Sequence, residues 1–407
     1  MIASMPALHL KQDEIRRSVA RFMVLSCGRR FGKTLLAAVL AFACAISGGA
    51  VWWIGPTSRE ANIGWKKILP MAQQIPGVQV KASLHEIHFP GGGWIAVLSA
   101  ENTTLRGEGL DLIIIDEAAY LANLEGVWLG DLRAALSDRQ GRAVFISTPD
   151  GRTYFHDLYL LGQDAEEPEW ASWQLPTADN PFIAREEIEA ARRTLPEWYF
   201  EQEYEAKFQS FTGKVYKSFG PGDTFTELDT YPEYYGGIDF GFTNPTVACV
   251  AGVNRDDRMD VIDGIHQSGL TTPELVDIIK GYHDKYKVKR WFADPADPDA
   301  IAQLRAAGLP VVPAPRVKGS LERSSIKAGI VKVETRLVNG LLRIHAGCPP
   351  EYVTELDGYR YPPTKGEREV KETPLKVHDH FPDALRYMVV GVDHLRGHMP
   401  QVRVAMG

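Results

Sequence analysis

The runs RFMVLSC, AVWWIGP, WIAVLSA, LDLIIIDEA and RAVFISTP constrain this chain more than any other feature. Each is almost continuously apolar instead of alternating, and each gives way to small or polar residues. A strand without a polar face must be covered on both sides, as helices do in a parallel α/β sheet. Helical segments between the runs, beginning with the one after Lys33, supply that cover. The first half is therefore expected to be α/β with a mostly parallel sheet. One stretch, LLAAVLAFACAISGGAVWWIG from Leu35 to Gly55, is long enough to suggest a membrane span. Gly48 and Gly49 divide it, and its parts fit a buried helix followed by a buried strand.

The second half reads differently. In YYGGIDFGFTNPTVACVAGV two strand-like runs flank the turn Thr243–Asn244–Pro245, and MDVIDGIHQ forms a third after the polar turn Asn254–Arg258. A helix around PELVDIIKGYHDKY, a strand VKRWFADP, a helix around DAIAQLRAAG and a strand LPVVPAP follow. Antiparallel strands followed by strand–helix alternation predict a mixed sheet. The charged helical segment from about Arg185 to Phe208 runs into KFQSFTGKVY, where Gly213 and polar residues weaken periodicity. A length of 407 residues suits two domains. The expected division is 1–205, a linker at 206–230, and 231–407.

Composition sets the class of molecule. Hydrophobic residues at 44% and charged residues at 24%, without repeats or low-complexity tracts, exclude a disordered chain. A net charge of -7 excludes a uniformly basic coat but allows a local basic groove for nucleic acid. Cys27, Cys44, Cys249 and Cys348 form no C-x-x-C pair and no disulfide framework, which fits a reducing cytoplasm. MIASMPALHLKQDEIRR lacks the pattern of a secretory signal, so the chain is expected to stay where it is made.

Chemistry is concentrated in two sets of residues. SCGRRFGKT follows the first apolar run and opens a helix, the context of a phosphate-binding loop. Cys27 stands where the pattern asks for its first glycine, and Gly28 is expected to supply the same backbone freedom. In such a loop, backbone N–H groups and the helix N-terminus cradle phosphates, Lys33 reaches the β and γ oxygens, and Thr34 holds Mg²⁺. LDLIIIDEAAY places Asp116 and Glu117 at a strand end, where one carboxylate can hold Mg²⁺ and its neighbour can orient or deprotonate water. Gln12 precedes the first strand and has an amide suited to an adenine edge. Ser147 and Thr148 in FISTPDGR occupy another strand end, where hydroxyls can sense a γ-phosphate. Arg29, Arg30, Arg106, Arg133, Arg139, Arg142 and Arg152 are candidates for stabilising a transferring phosphoryl group.

The second set is acidic. Asp239 lies within an apolar strand, where a carboxylate is costly unless it is paired or bound to metal. Asp294 ends RWFADPA, with Asp297 and Asp299 as competitors. Pro382 suits the start of a helix, which puts Asp383 in the opening turn of HFPDALRYMVVGVDHL. Asp379, His378 and His380 stand close by in sequence. Gathered carboxylates of this kind can hold one or two Mg²⁺ or Mn²⁺ ions and activate water against a phosphodiester. Lys318 and Arg323 lie in a serine-rich loop suited to phosphate contact.

Together, GRRFGKT, LRGEGLDLIIIDEAAY, ISTP, IDFGF, FADPA and DALRY, in that order, make the chain resemble the large terminase subunit of tailed bacteriophages. The resemblance covers nearly the whole chain. It implies an N-terminal RecA-like ATPase of the additional-strand (ASCE) kind and a C-terminal ribonuclease H-like nuclease. It also implies nucleotide contacts from Gln12, Gly28, Arg29, Arg30, Phe31, Gly32, Lys33 and Thr34, with Asp116 as the Walker B acid and Glu117 as the catalytic base. Ser147 and Thr148 match a coupling motif, and Arg106 matches an arginine that can reach a neighbouring subunit, with Arg29 and Arg30 as rivals. Asp239, Asp294 and Asp383 match the nuclease triad, with Asp379 as a fourth ligand.

The implied cofactors are ATP with Mg²⁺ and two Mg²⁺ or Mn²⁺ ions at the nuclease. The implied partners are double-stranded DNA, a portal protein and a small terminase subunit. A homo-oligomeric ring is expected during packaging and a monomer when free, in the cytoplasm of an infected bacterium and absent from the mature virion. No membrane association is expected. A DNA helicase or repair ATPase with a fused nuclease would need a second RecA-like half, which is missing. A non-catalytic DNA-binding protein would not need Lys33, Glu117 and three acids intact.

Overall fold

The computed structural model describes residues 5–101, 109–151, 153–209, 213–315, 322–362 and 373–397. They fall into two compact units, one built mainly from residues up to 209 and the other mainly from residues beyond 213.

The first unit is organised by an eight-stranded sheet. Its strands are β1 (Phe22–Cys27), β2 (Ala50–Gly55), β3 (Gln79–Lys81), β4 (Glu86–His88), β5 (Trp94–Ser99), β6 (Leu112–Asp116), β7 (Arg142–Ser147) and β8 (Trp170–Leu175), in the spatial order β3-β4-β5-β2-β6-β7-β1-β8. The strands from β5 to β8 in this order are parallel, and β3 and β4 form an antiparallel edge. All residues of β1, β2 and β6 are buried, as two-sided cover requires. On one face, Met23, Leu25, Val51, Trp53 and Ile114 pack with Leu36, Ala37 and Phe42 of the helix Lys33–Ile46. On the other, Phe22, Val24, Trp52, Ile113 and Phe145 pack with Trp128, Phe155 and Leu158. The stretch Leu35–Gly55 is a buried helix and then β2, and no described helix is long and apolar enough to cross a membrane.

β7 lies between β1 and β6, so Ser147 at its end stands between the phosphate loop and Asp116. This inserted strand is the feature that the additional-strand ATPase class requires.

The second unit contains β9 (Thr224–Phe225), β10 (Glu233–Asp239), β11 (Thr246–Val253), β12 (Met259–Gln267), β13 (Arg290–Ala293), β14 (Val311–Pro313) and β15 (Leu342–His345), ordered β14-β13-β10-β11-β12-β15-β9. β11 runs antiparallel to β10 and β12, while β10, β13 and β14 are mutually parallel neighbours. Counted from β10, the core order is 3-2-1-4-5, that of a ribonuclease H-like sheet. The segment 206–230 is more than a linker, because Thr224 and Phe225 pair with Ile344 and His345 and extend this sheet.

Glycines let the helix His380–Arg396 lie close on the central strands. A Cβ on Gly237 of β10 would sit 2.2 Å from the Ala384 carbonyl oxygen, and one on Gly391 would sit 2.2 Å from the Phe292 ring. Contacts that tight are available only to glycine.

Candidate active sites

β1 ends at Cys27 and a helix begins at Lys33, which leaves residues 28–32 as the turn between them. Left-handed backbone occurs at Arg30, φ 64°, and at Gly32, φ 99°. The freedom expected of Gly28 is thus supplied further along. Gly28 is glycine for space, since a Cβ there would lie 2.5 Å from the Tyr204 carbonyl oxygen and 2.6 Å from Thr177 Oγ1. Cys27 is fully buried in the core beneath the loop, and burial pushes its thiol far above the ordinary range.

The loop is braced by residues distant in sequence. The N–H groups of Gly28 and Arg29 donate to the carbonyls of Leu175 and Glu203 at 2.8 and 2.6 Å. Thr177 Oγ1 donates to the Arg29 carbonyl at 2.7 Å, and Asn180 Nδ2 to the Arg30 carbonyl at 2.6 Å. The Arg29 guanidinium pairs with the buried carboxylate of Glu203. Gln12, 2% exposed, donates from Nε2 to the Gly32 carbonyl at 3.0 Å and accepts from the His9 N–H at 3.0 Å. Its amide holds the loop and caps its own helix. His9 Nε2 donates to the Phe31 carbonyl at 3.1 Å.

Lys33 Nζ lies 2.9 Å from Glu117 Oε1, and Ser147 Oγ donates to Glu117 Oε2 at 3.4 Å. Glu117 has φ 50°, a left-handed conformation that costs a non-glycine residue about 1–2 kcal/mol. That turn folds its carboxylate back toward the loop. Burial, and then the neighbouring Glu117 charge, push the Asp116 carboxyl up. Burial opposes the Lys33 charge, but Glu117 and then Asp116 outweigh it and keep the ammonium protonated. Tyr120 and Thr148 hydroxyls lie 3.4 Å apart. A helix N-terminus, an ammonium, the hydroxyl residue Thr34 and a buried carboxylate fit a nucleoside triphosphate with Mg²⁺ in donor chemistry.

In the second unit, Ile238 pairs in parallel with Ala293, and the Asp294 N–H donates to the Ile238 carbonyl at 3.1 Å. Asp239 and Asp294 therefore leave adjacent strands at one level. Asp383 lies in the first turn of the helix His380–Arg396, and Asp379 directly precedes that helix. Asp239 is 8% exposed, and burial pushes its carboxyl up to about 7, opposed by the His380 hydrogen bond and reinforced by the charges of Asp383 and Asp294. Burial, and then Asp383, push Asp379 up as well.

Cations brace these acids. His380 Nδ1 is 3.1 Å from Asp239 Oδ2, and Arg386 Nη2 is 2.8 Å from Asp383 Oδ1. Asp294 Oδ1 accepts from the Ala296 N–H at 2.9 Å. Asp297 is occupied in capping the next helix through the Ala300 N–H, at 2.9 Å. Oxygen donors of this type fit a hard divalent cation. Among the described residues, no three His, Cys, Asp or Glu side chains form a group that could hold a metal as they stand.

Not every candidate gathers at these sites. Arg142 bonds the Ser18 and Ala20 carbonyls, Arg139 pairs with Asp111, and Arg133 lies over Phe22, all near strand beginnings and away from the strand ends that carry Asp116 and Ser147. Arg106, Arg152 and Lys318 lie outside the described residues. Thr177, Asn180 and Glu203 leave no signal in the sequence, because their partners are loop groups 148–174 positions away.

A phosphate loop and an acidic strand end flanking an inserted strand define a P-loop ATPase, and carboxylates across the two central parallel strands of a 3-2-1-4-5 sheet define a ribonuclease H-like nuclease. Residues 24–219 match the family model "Terminase large subunit, T4likevirus-type, N-terminal", and residues 236–390 match "Terminase RNaseH-like domain". The large terminase subunit of Escherichia phage T5 is 30% identical over 392 residues, spanning 91% of this chain and 87% of that protein. The large terminase subunit of Thermus virus P23-45 is 26% identical over 420 residues, spanning 91% and 84%. In fold, the large terminase of a thermophilic bacteriophage is similar with a TM-score of 0.73 at 20% identity, over 93% of this chain and 97% of that one. The chain belongs to the large terminase subunit family, whose members are ATPases and nucleases of phage DNA packaging. Its function is ATP-driven DNA translocation with nuclease activity.

Proposed function

We propose that Lys33, Thr34, Asp116 and Glu117 carry ATP turnover and that Asp239, Asp294 and Asp383, assisted by Asp379, carry cleavage of concatemeric double-stranded DNA. The observation that supports the first part most is the Lys33–Glu117–Ser147 arrangement. Lys33 has the reach and charge to move onto the β and γ phosphate oxygens, and its departure frees a Glu117 oxygen to take a proton from water. Ser147 keeps the carboxylate oriented meanwhile and links it to β7. Thr34 and Asp116 would hold Mg²⁺, which when bound neutralises charge on the phosphate oxygens. Arg106 is the proposed finger into a neighbouring subunit, by its place in the L-R-G stretch. The thermophilic phage's large terminase has been crystallised in complex with ATP-gamma-S, which supports a nucleotide at this fold's phosphate loop.

At the nuclease, Asp239, Asp294, Asp383 and Asp379 would hold two Mg²⁺ or Mn²⁺ ions, which when bound activate water and steady the leaving oxygen. Asp239 at adjacent-strand level with Asp294 is the supporting geometry. The motor works as a ring on a portal protein, with a small terminase subunit for recognition, and is a monomer when free. It acts in the cytoplasm of the infected host and is left out of the mature virion. DNA contacts are mainly to phosphates, so binding weakens as salt rises.

Replacing Glu117 by Gln tests the reading. ATP turnover should fall by about 10²–10⁴-fold, as expected on losing a general base, while binding of a fluorescent ATP analogue persists. Undiminished turnover would overturn the assignment.

A further inference from the structure

Asp379 immediately precedes the helix His380–Arg396, the position at which an aspartate ordinarily accepts a bond from the first helical N–H groups. It makes no such side-chain bond. Instead, the Phe381 N–H donates to Glu355 Oε2 at 2.7 Å, and Glu355 belongs to a separate helix, Pro350–Gly358. The other oxygen, Glu355 Oε1, is 2.7 Å from Nε2 of His266 on β12. Glu355 is 4% exposed, so a carboxylate has been taken from water and both its oxygens are engaged.

The same turn is fixed by packing. The Tyr352 and Phe381 rings stack with centroids 3.9 Å apart, and the Tyr352 hydroxyl donates to the Ala248 carbonyl at 2.9 Å. A Cβ on Gly264 would lie 2.2 Å from that hydroxyl, so β12 is trimmed to admit it. Burying a distant glutamate to serve one N–H is costly when an aspartate already stands at the capping position. The arrangement makes sense if the Asp379 carboxylate is required elsewhere.

We propose that Glu355, oriented by His266, is a positioning residue of the nuclease: it caps the C-terminal helix in place of Asp379, which leaves the Asp379 carboxylate for the acid site and fixes Asp383 in register with Asp239 and Asp294. The inference rests on the assignment of the nuclease to these acids.

The test uses the full chain and follows plasmid cleavage against Mn²⁺ concentration, with Mn²⁺ binding by calorimetry and ATP turnover as readouts. Glu355→Ala should raise the half-saturating Mn²⁺ concentration by about 10–100-fold, the usual effect of removing a ligand's supporting partner, with ATP turnover unchanged. Glu355→Gln, whose amide oxygen can still accept from Phe381, should recover much of that loss. If Glu355→Ala fails to fold, His266→Ala carries the test, with a smaller shift in the same direction. Folded variants with wild-type Mn²⁺ dependence and turnover would overturn the inference, even if their melting temperature fell. Asp294→Ala separates the two levels. Inactive Asp294→Ala beside normal Glu355 variants removes only the positioning role, whereas active Asp294→Ala removes the site assignment and the inference with it.

Discussion

Gly237→Ala should disable cleavage without touching ATP turnover. The added Cβ would lie 2.2 Å from the Ala384 carbonyl oxygen and 3.0 Å from Met388 Cβ, where ordinary contact begins near 3.4 Å. The Ala384 oxygen is backbone, so no rotamer change relieves the clash. The helix His380–Arg396 must retreat from β10 by about 1 Å, an overpacking that typically costs about 1–3 kcal/mol. Asp383 adjoins Ala384 and moves with it, while Asp239 and Asp294 stay on their strands. A misplacement of about 1 Å between reacting groups commonly costs about 10²-fold in rate. Nicking of supercoiled plasmid in Mn²⁺ measures the loss, and ATP turnover by the same preparation serves as the internal control. Gly281→Ala, where a Cβ meets nothing within 4 Å, should leave cleavage unaltered. Cleavage by folded Gly237→Ala within about twofold of wild type would refute the claim that this close approach sets the acid geometry.

Two further outcomes follow from burial and charge. Cys27 is fully enclosed and its thiol is pushed up, whereas Cys44 is only half-buried. Iodoacetamide should label Cys44 before Cys27 in the native protein, by peptide mass mapping; rapid labelling of Cys27 that ATP suppresses would contradict its place beneath the loop. Glu233 is held down to about 2 by Lys289, then by Arg396 and Tyr235. Its folded value lies below its unfolded one, so its contribution is present above about pH 4.5 and is lost as pH falls toward 2. Glu233→Gln should flatten the acid limb of a stability-versus-pH curve in that window, and an unchanged limb would show that the pair is not coupled to folding.

Much of the architecture was legible because two-sided burial leaves a compositional trace. β1, β2, β5, β6 and β7 are the five apolar runs, and β10 to β14 appeared with their helices between them. β3 is wholly exposed, and β8 alternates without a clean period, so neither carried that trace. β9 has only two residues, which is too short for any pattern. Glycine roles were the least readable. The chain shows Gly28 beside Cys27, but only the approach of Tyr204 and Thr177 reveals that space, and not backbone freedom, demands it. Asp239 was legible as a costly buried charge, whereas Glu355 and His266 were not, because their roles come from packing against Phe381. A residue that acts by holding another one's backbone leaves no local spacing to find.

One chain carries two separable active sites, and paired inactivation probes that separation. Lys33→Ala and Asp294→Ala should each be assayed for DNA-stimulated ATP hydrolysis and for Mg²⁺- or Mn²⁺-dependent cleavage of plasmid DNA. Lys33→Ala should lose hydrolysis and keep cleavage, and Asp294→Ala should lose cleavage and keep hydrolysis. If folded Lys33→Ala still hydrolyses ATP, or folded Asp294→Ala still cuts DNA, the sites lie elsewhere in the chain.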